Sequence, residues 1–264
     1  MMGPIVTRAQ GPVHRFRTPR AGPVHSREVG NLAEMSRNIV ACGGGGWSSE
    51  PGEGALEDYI LGLTESDHPR ICLLPTASGD SDWLVARFHE FFRTRPVRAS
   101  HISLFRAHPE GVEEHLLAQD VIYVGGGSSA NLMAVWQVHG LGDILRRAWD
   151  SGVVLAGVSA GAICWFQAGL TNSLGPYFTP VAGLAFVDGG FCPHADSDPG
   201  RLVALRDLVD RGLMPPTYAV DDGAAIHLCD DAPPRLLSGV PGRGARLFGP
   251  GGVEESLAPL VLAR

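Results

Sequence analysis

The chain is predicted to fold as an α/β protein with a mostly parallel sheet covered by helices on both faces. Three observations carry that prediction. Short apolar runs alternate with stretches of helical length across residues 38–168, the pattern of a parallel sheet wrapped by its crossover helices. Glycine clusters follow two of the runs, at Gly43–Gly46 and Gly125–Gly127. A further run, Val153–Val158, leads straight into Gly157-Val158-Ser159-Ala160-Gly161, the Gly-x-Ser-x-Gly spacing of a strand-to-helix nucleophile elbow.

In chain order, residues 1–36 carry Pro4, Pro12, Pro19 and Pro23, several arginines and no apolar stretch of signal-peptide type. They read as a disordered leader or an upstream extension, with Met35 as an alternative start. Residues 37–264 read as one α/β domain. Arg37–Cys42 is a first strand, and the four glycines after it suit a close backbone approach better than a phosphate cradle. No Gly-Lys-Ser/Thr follows them, and Ser48 breaks the Gly-x-Gly-x-x-Gly spacing. A helix is expected over Ala55–Leu63 and a buried strand over Arg70–Pro75. A second helix is expected over Trp83–Arg93, where Leu84, Phe88, Phe91 and Phe92 share a face. Ala99–Phe105 reads as a strand, Glu113–Ala118 as a short helix and Asp120–Val124 as a strand entering Gly125-Gly126-Gly127-Ser128-Ser129. Asn131–Val138 and Gly142–Ser151 read as helices. After the elbow, Ile163-Cys164-Trp165-Phe166 is compatible with a helix. Shorter, more antiparallel strands are expected at Ala182–Val187, Tyr218–Val220, Ala224–Cys229, Arg235–Leu237 and Ala245–Phe248. Phe191–Arg201 reads as an apolar approach to a polar loop.

Composition narrows the function. The chain has 264 residues, 44% of them hydrophobic and 19% charged, as in an ordinary globular protein. A net charge of −7 argues against a nucleic-acid partner. No apolar run is long enough to span a membrane. Five cysteines, Cys42, Cys72, Cys164, Cys192 and Cys229, are scattered and never paired as C-x-x-C. They read as reduced, buried thiols in a cytoplasmic protein. His194-x-Asp196 lacks nearby third and fourth ligands, so no metal is expected.

A serine at a tight strand-to-helix turn needs small neighbours, which Gly157 and Gly161 supply. The first N–H groups of the following helix face any charge that develops there. The hydroxyl also needs a base and the base an orienting acid. Of ten histidines, two suit the base: His194, in the polar loop, and His227, alternating in a strand. Asp221-Asp222-Gly223, at a strand end, offers the acid. Three readings stay open on these residues. One is a serine hydrolase built on His194. Another is an α/β-hydrolase-type esterase, recruiting His227 with Asp188, Asp196 or Asp221 in the Ser–acid–His order of that fold. The last is a peptide- or metabolite-binding protein without turnover.

Taken as an ordered set, Tyr123-Val124-Gly125-Gly126-Gly127, the elbow, Cys192-Pro193-His194-Ala195-Asp196 and Asp221-Asp222-Gly223-Ala224-Ala225 resemble the dipeptidase E and cyanophycinase family of serine peptidases over about residues 38–250. The resemblance implies a flavodoxin-like three-layer sandwich akin to class I glutamine amidotransferases, with serine in place of their cysteine. It implies a cytoplasmic serine exopeptidase that cuts short peptides from the N-terminal end, needs no cofactor, and occurs as monomer or homodimer. By position, Ser159 matches the nucleophile, His194 the base and Asp222 the acid. The segment Thr171-Asn172-Ser173 lacks the aspartate that dipeptidase E carries after its elbow, which leaves Asp221 or another acid as the alternative. Backbone N–H groups of Ala160 and of Gly126 or Gly127 form the implied oxyanion hole. Ser128 stands where many relatives carry asparagine, in a substrate-contact segment. Arg201 is the candidate partner for an N-terminal aspartate of the substrate, or else a salt-bridge partner of Asp196 or Asp198.

Overall fold

A computed structural model describes residues 36–48, 54–105, 109–252 and 254–262. The leader expected over residues 1–36, and Met35 as a start, therefore lie outside the described residues, Ser36 excepted.

The first half builds the expected sheet. Strands β1 (Asn38–Cys42), β2 (Arg70–Leu74), β3 (Arg98–His101), β4 (Val121–Val124) and β5 (Val154–Val158) run parallel in the order β3-β2-β4-β5-β1. Their residues alternate between two apolar layers. Val121, Tyr123, Val154 and Ala156 face helices α1 (Ala55–Leu61) and α2 (Asp82–Phe92) through Ile60, Phe88 and Phe92. Ile122, Val124 and Leu155 face α3 (Val112–Leu117), α4 (Ser129–His139) and α5 (Leu141–Asp150) through Leu116, Trp136 and Leu145. A strand buried on both faces needs apolar residues at every position, which is why these segments read as unbroken runs. Each fully buried large side chain contributes roughly 1.5–3 kcal/mol.

Past the elbow the chain departs from the expectation. Helix α6 is a single turn, Ala160–Ile163, and Phe166 already starts a strand, β6 (Phe166–Thr171). The helix expected through Phe166 is cut short because Phe166 packs into the α3–α5 side of the core, stacked on Phe191 at a centroid distance of 5.0 Å. The strand expected at 182–187 is the connection between β7 (Thr179–Ala182) and β8 (Val187–Cys192). Its Ala185 has φ 54°, outside strand geometry. Residues 199–210, within and beyond the expected polar loop, form α7 (Pro199–Asp210), started by Asp198, whose carboxylate accepts the Gly200 N–H at 2.8 Å. Strands β9 (Thr217–Val220), β10 (Ala224–Cys229), β11 (Arg235–Ser238) and β12 (Ala245–Phe248) fall where expected, joined by β13 (Glu254–Ser256) and β14 (Pro259–Val261).

The result is two sheets. β10, β11 and β14 extend the first sheet beside β1, with β10 antiparallel to it. The second sheet has the order β13-β12-β9-β8-β6-β7, and α7 packs on it through Leu205 and Val209. Turns from both sheets meet at the C-terminal end of β5. Four cysteines are buried, and all five are free thiols. Burial pushes the Cys72 and Cys192 thiols up to about 12, so neither supplies a thiolate at neutral pH. No described helix is long and apolar enough to cross a membrane.

Candidate active site

Ser159 follows β5 in a conformation with φ 55° and ψ −113°, a strained region for any residue but glycine. The turn exists because two backbones pass where side chains would otherwise stand. A Cβ on Gly157 would run into the Gly161 carbonyl, and one on Gly161 would meet the Val124 carbonyl. The Ser159 N–H donates to the Cys42 carbonyl at 3.0 Å, and its own carbonyl accepts from Ala162 and Ile163. The turn is thus tied to β1 on one side and to α6 on the other, leaving the hydroxyl aimed outward.

His194 lies on the loop after β8, also at positive φ (54°). Its Nε2 stands 2.8 Å from Ser159 Oγ and its Nδ1 stands 2.5 Å from Asp222 Oδ1. Asp222 sits in the turn between β9 and β10, where Gly223 takes φ 77°. Its hydrogen bond with His194 is the chief cause that holds the Asp222 carboxyl below the usual carboxylate range, so it is ionised at neutral pH. Asp221 points elsewhere. Its Oδ2 accepts the Gly244 N–H at 2.9 Å, and burial raises its carboxyl.

The glycine run after β1 closes the back of this arrangement. A Cβ on Gly44 would collide with Asp222 Oδ1 and lie 2.7 Å from the His194 ring. The Gly223 N–H donates to the Gly44 carbonyl at 2.9 Å. Buried Glu57 accepts the Trp47 N–H at 3.1 Å and anchors the far end of the run. The close approach expected for Gly43–Gly46 is therefore present: Gly43 meets the Val220–Asp221 backbone, Gly44 the His–Asp pair and Gly46 the Glu57 carboxylate.

In front of Ser159 lies a cleft of about 380 Å³, lined by Gly127, Ser129, Thr171, Asn172, Ser197 and Arg201 among others. Gly126 packs beside Ser159, 3.5 Å from its Cβ to a Cβ built on the glycine. Among the described residues, the backbone N–H groups of Gly126, Gly127 and Ala160 have no protein acceptor. Arg201, only 7% exposed, projects from the first turn of α7. Its guanidinium sits 4.5 Å from the Phe178 ring centroid, its Nη1 reaches the Leu170 carbonyl at 3.5 Å, and its Nε is unpartnered. Neither salt bridge weighed for it forms: Asp198 caps α7 and Asp196 pairs with Arg243.

Ser128 does not line the cleft. Its hydroxyl accepts the Asn131 N–H at 3.2 Å as the N-cap of α4, and its neighbour Ser129 faces the cleft instead. His227 is buried at 3% exposure, with Tyr59 Oη 2.8 Å from Nδ1 and Asn38 Oδ1 2.9 Å from Nε2. Asp188 accepts from Gln167. None of the esterase partners is within reach of Ser159. Asp196, the second half of the weighed metal pair, faces the Asp222 N–H and Arg243. Among the described residues no three His, Cys, Asp or Glu side chains are grouped to hold a metal.

Residues 39–234 match Peptidase family S51. The chain belongs to that family. This S51 chain is 44% identical over 227 residues to the uncharacterized peptidase YgaJ of Bacillus subtilis (strain 168), covering 86% of this chain and 97% of that protein. It is 27% identical over 225 residues to Peptidase E of Streptomyces coelicolor (strain ATCC BAA-471 / A3(2) / M145), covering 80% and 88%. The crystal structure of a peptidase from an acI-B1 Actinobacterium superposes with a TM-score of 0.58 at 19% identity, over 84% of this chain and 98% of that one. The S51 chain is accordingly a serine-type peptidase on a three-layer α/β fold of the flavodoxin-like kind.

Proposed function

We propose that this peptidase is a serine exopeptidase that releases residues from the N-terminal end of short peptides through an acyl-enzyme, with Ser159 as nucleophile, His194 as general base and Asp222 as the acid that orients it. The observation that carries the reading is the unbroken relay of Ser159 Oγ, His194 Nε2, His194 Nδ1 and Asp222 Oδ1 at the cleft floor. His194 takes the hydroxyl proton as Ser159 Oγ attacks the peptide carbonyl. The N–H groups of Ala160 and of Gly126 or Gly127 receive the oxyanion, each worth about 3 kcal/mol by precedent. His194 then protonates the leaving amine, and water, deprotonated by the same imidazole, releases the acyl group. Asp222 keeps the proton of the neutral ring on Nδ1, which frees Nε2 to act as base.

Two features favour short substrates with an acidic first residue. The cleft is at the low end of the ~300–1,000 Å³ typical of small-molecule sites. Arg201 lines the cleft with a largely buried cation, suited to a carboxylate. The test is amino-acid release from unblocked and N-blocked dipeptides, including Asp-Xaa and β-Asp-Arg, by wild type, Ser159→Ala and Arg201→Met. The reading predicts cleavage of unblocked peptides only, lost in Ser159→Ala, with the preference for Asp over Ala reduced at least about tenfold in Arg201→Met. Cleavage of N-blocked peptides as fast as of free ones would overturn the exopeptidase assignment.

A further inference from the structure

We propose that Asp196 and Arg243 form a charged clamp that fixes Asp222 against His194 and sets the pH at which the pair works. Both are positioning residues, acting through Asp222 and not on substrate, and the proposal rests on the relay described above.

The base and its acid stand on different loops, and nothing within either loop fixes their separation. The Asp222 turn is followed by a glycine in the left-handed region, which leaves its orientation to outside contacts. Asp196 supplies one. Its Oδ1 accepts the Asp222 N–H at 2.8 Å, across from the loop that carries His194 two residues earlier. Its Oδ2 pairs with Arg243 Nη1, from the turn between β11 and β12. One carboxylate thus bridges the loop of the base, the turn of the acid and a third turn. Further bonds run in parallel. The Ala195 N–H donates to the Val220 carbonyl at 3.0 Å, and the Asp221 N–H donates to the Gly244 carbonyl at 3.0 Å. Asp221 returns the contact by accepting the Gly244 N–H, so the acid that the relay does not use holds the third turn in place.

The clamp also sets charge. The charges acting on Asp222 besides His194 are Arg201 from α7 and Arg243 from the third turn, while the Asp196 carboxylate stands against its N–H, and Asp196, Arg243 and Arg246 surround the neighbouring Asp221. Arg201 and Arg243 both favour the ionised Asp222. Asp196 opposes them, and it is only 19% exposed at the side chain, against 42% for Arg243. Deleting Arg243 removes one of the cations that favour the ionised Asp222 and leaves the Asp196 carboxylate unbalanced behind it. Neutralising Asp196 does the reverse.

The experiment is the pH dependence of kcat/KM on unblocked Asp-Leu for wild type, Asp196→Asn, Arg243→Gln, Arg243→Lys and Ser159→Ala. The substrate's own groups titrate identically throughout, so differences belong to the enzyme. The amide of Asp196→Asn still accepts the Asp222 N–H, and Arg243 is surface-exposed, so folding is preserved and is checked by near-ultraviolet circular dichroism. The clamp predicts opposite displacements of the acidic limb, each about half a pH unit or more: lower for Asp196→Asn, higher for Arg243→Gln. Arg243→Lys leaves the limb in place. Displacement in one common direction, or a lowered plateau with an unmoved limb, would overturn the clamp. Turnover surviving in Ser159→Ala would instead overturn the relay itself, whatever the limbs do.

Discussion

Two histidines of this chain each have both ring nitrogens satisfied, yet their surroundings assign them opposite work. His194 lies between a serine hydroxyl and an ionised carboxylate, with about a third of its side chain open to the cleft. His227 lies between a tyrosine hydroxyl and an asparagine carbonyl, sealed between β1 and α1. Burial lowers its imidazole to about 4, so it stays neutral across the physiological range. Hydrogen-bond number is the same in the two places. What differs is a charged partner on the far nitrogen and a path to solvent on the near one. A base needs both; a core histidine is stable only without them.

The largest effect expected from this contrast is in turnover. Ser159→Ala and His194→Ala should each lower kcat by about 10⁴-fold or more with melting temperature little changed, whereas His227→Ala should spare kcat per folded molecule. Dipeptide kinetics beside thermal melts check all three. Asp222→Asn should lower kcat by about 10²–10⁴-fold by presenting the wrong tautomer, and Asp221→Asn should not. Parallel kinetics of the two variants decide which aspartate orients the imidazole. Gly44→Ala sharpens the comparison from the side of the scaffold. A methyl there displaces Asp222 and His194, and kcat should fall by about 10–100-fold with a folded core.

For His227 the readout is stability. Below about pH 6.5 the unfolded imidazole takes a proton that the folded one refuses until about pH 4. Stability should therefore fall as pH drops through that window, by on the order of 3 kcal/mol at its lower end. Urea melts between pH 4 and 7 should show this slope in wild type and lose it in His227→Phe. The smallest effect is at Ser128. Its replacement by alanine should cost about 1 kcal/mol of stability as a lost cap and leave KM unchanged.

The parallel half of the fold was legible because its strands other than the edge strand β3 bury both faces and so read as nearly unbroken apolar runs. The second half was not, for local reasons. Phe166 sits four residues into what pattern alone extends as a helix, and only its packing on Phe191 makes it a strand. Helix α7 was hidden by Pro199 and Gly200, although Asp198-Pro199 is a cap followed by a first-turn proline, a signal that could have found it. The nucleophile's turn was legible from Gly157 and Gly161, whose roles are local. The His194–Asp222 contact joins residues on two loops and has no sequence signature of its own. Asp196 lies in the same segment as His194, but its pairing with Arg243, outside any motif, depends on how β11 and β12 turn.

The central claim is that Ser159 carries the acyl group. Ester substrates acylate serine enzymes faster than they deacylate, so the intermediate accumulates. Acid-quenched enzyme turning over an aspartyl ester, digested and examined by mass spectrometry, should carry the aspartyl mass on the peptide holding Ser159. The adduct should be absent in His194→Ala and present in His227→Ala. An adduct on any other residue, or turnover without one in an enzyme that hydrolyses the ester, would contradict the account.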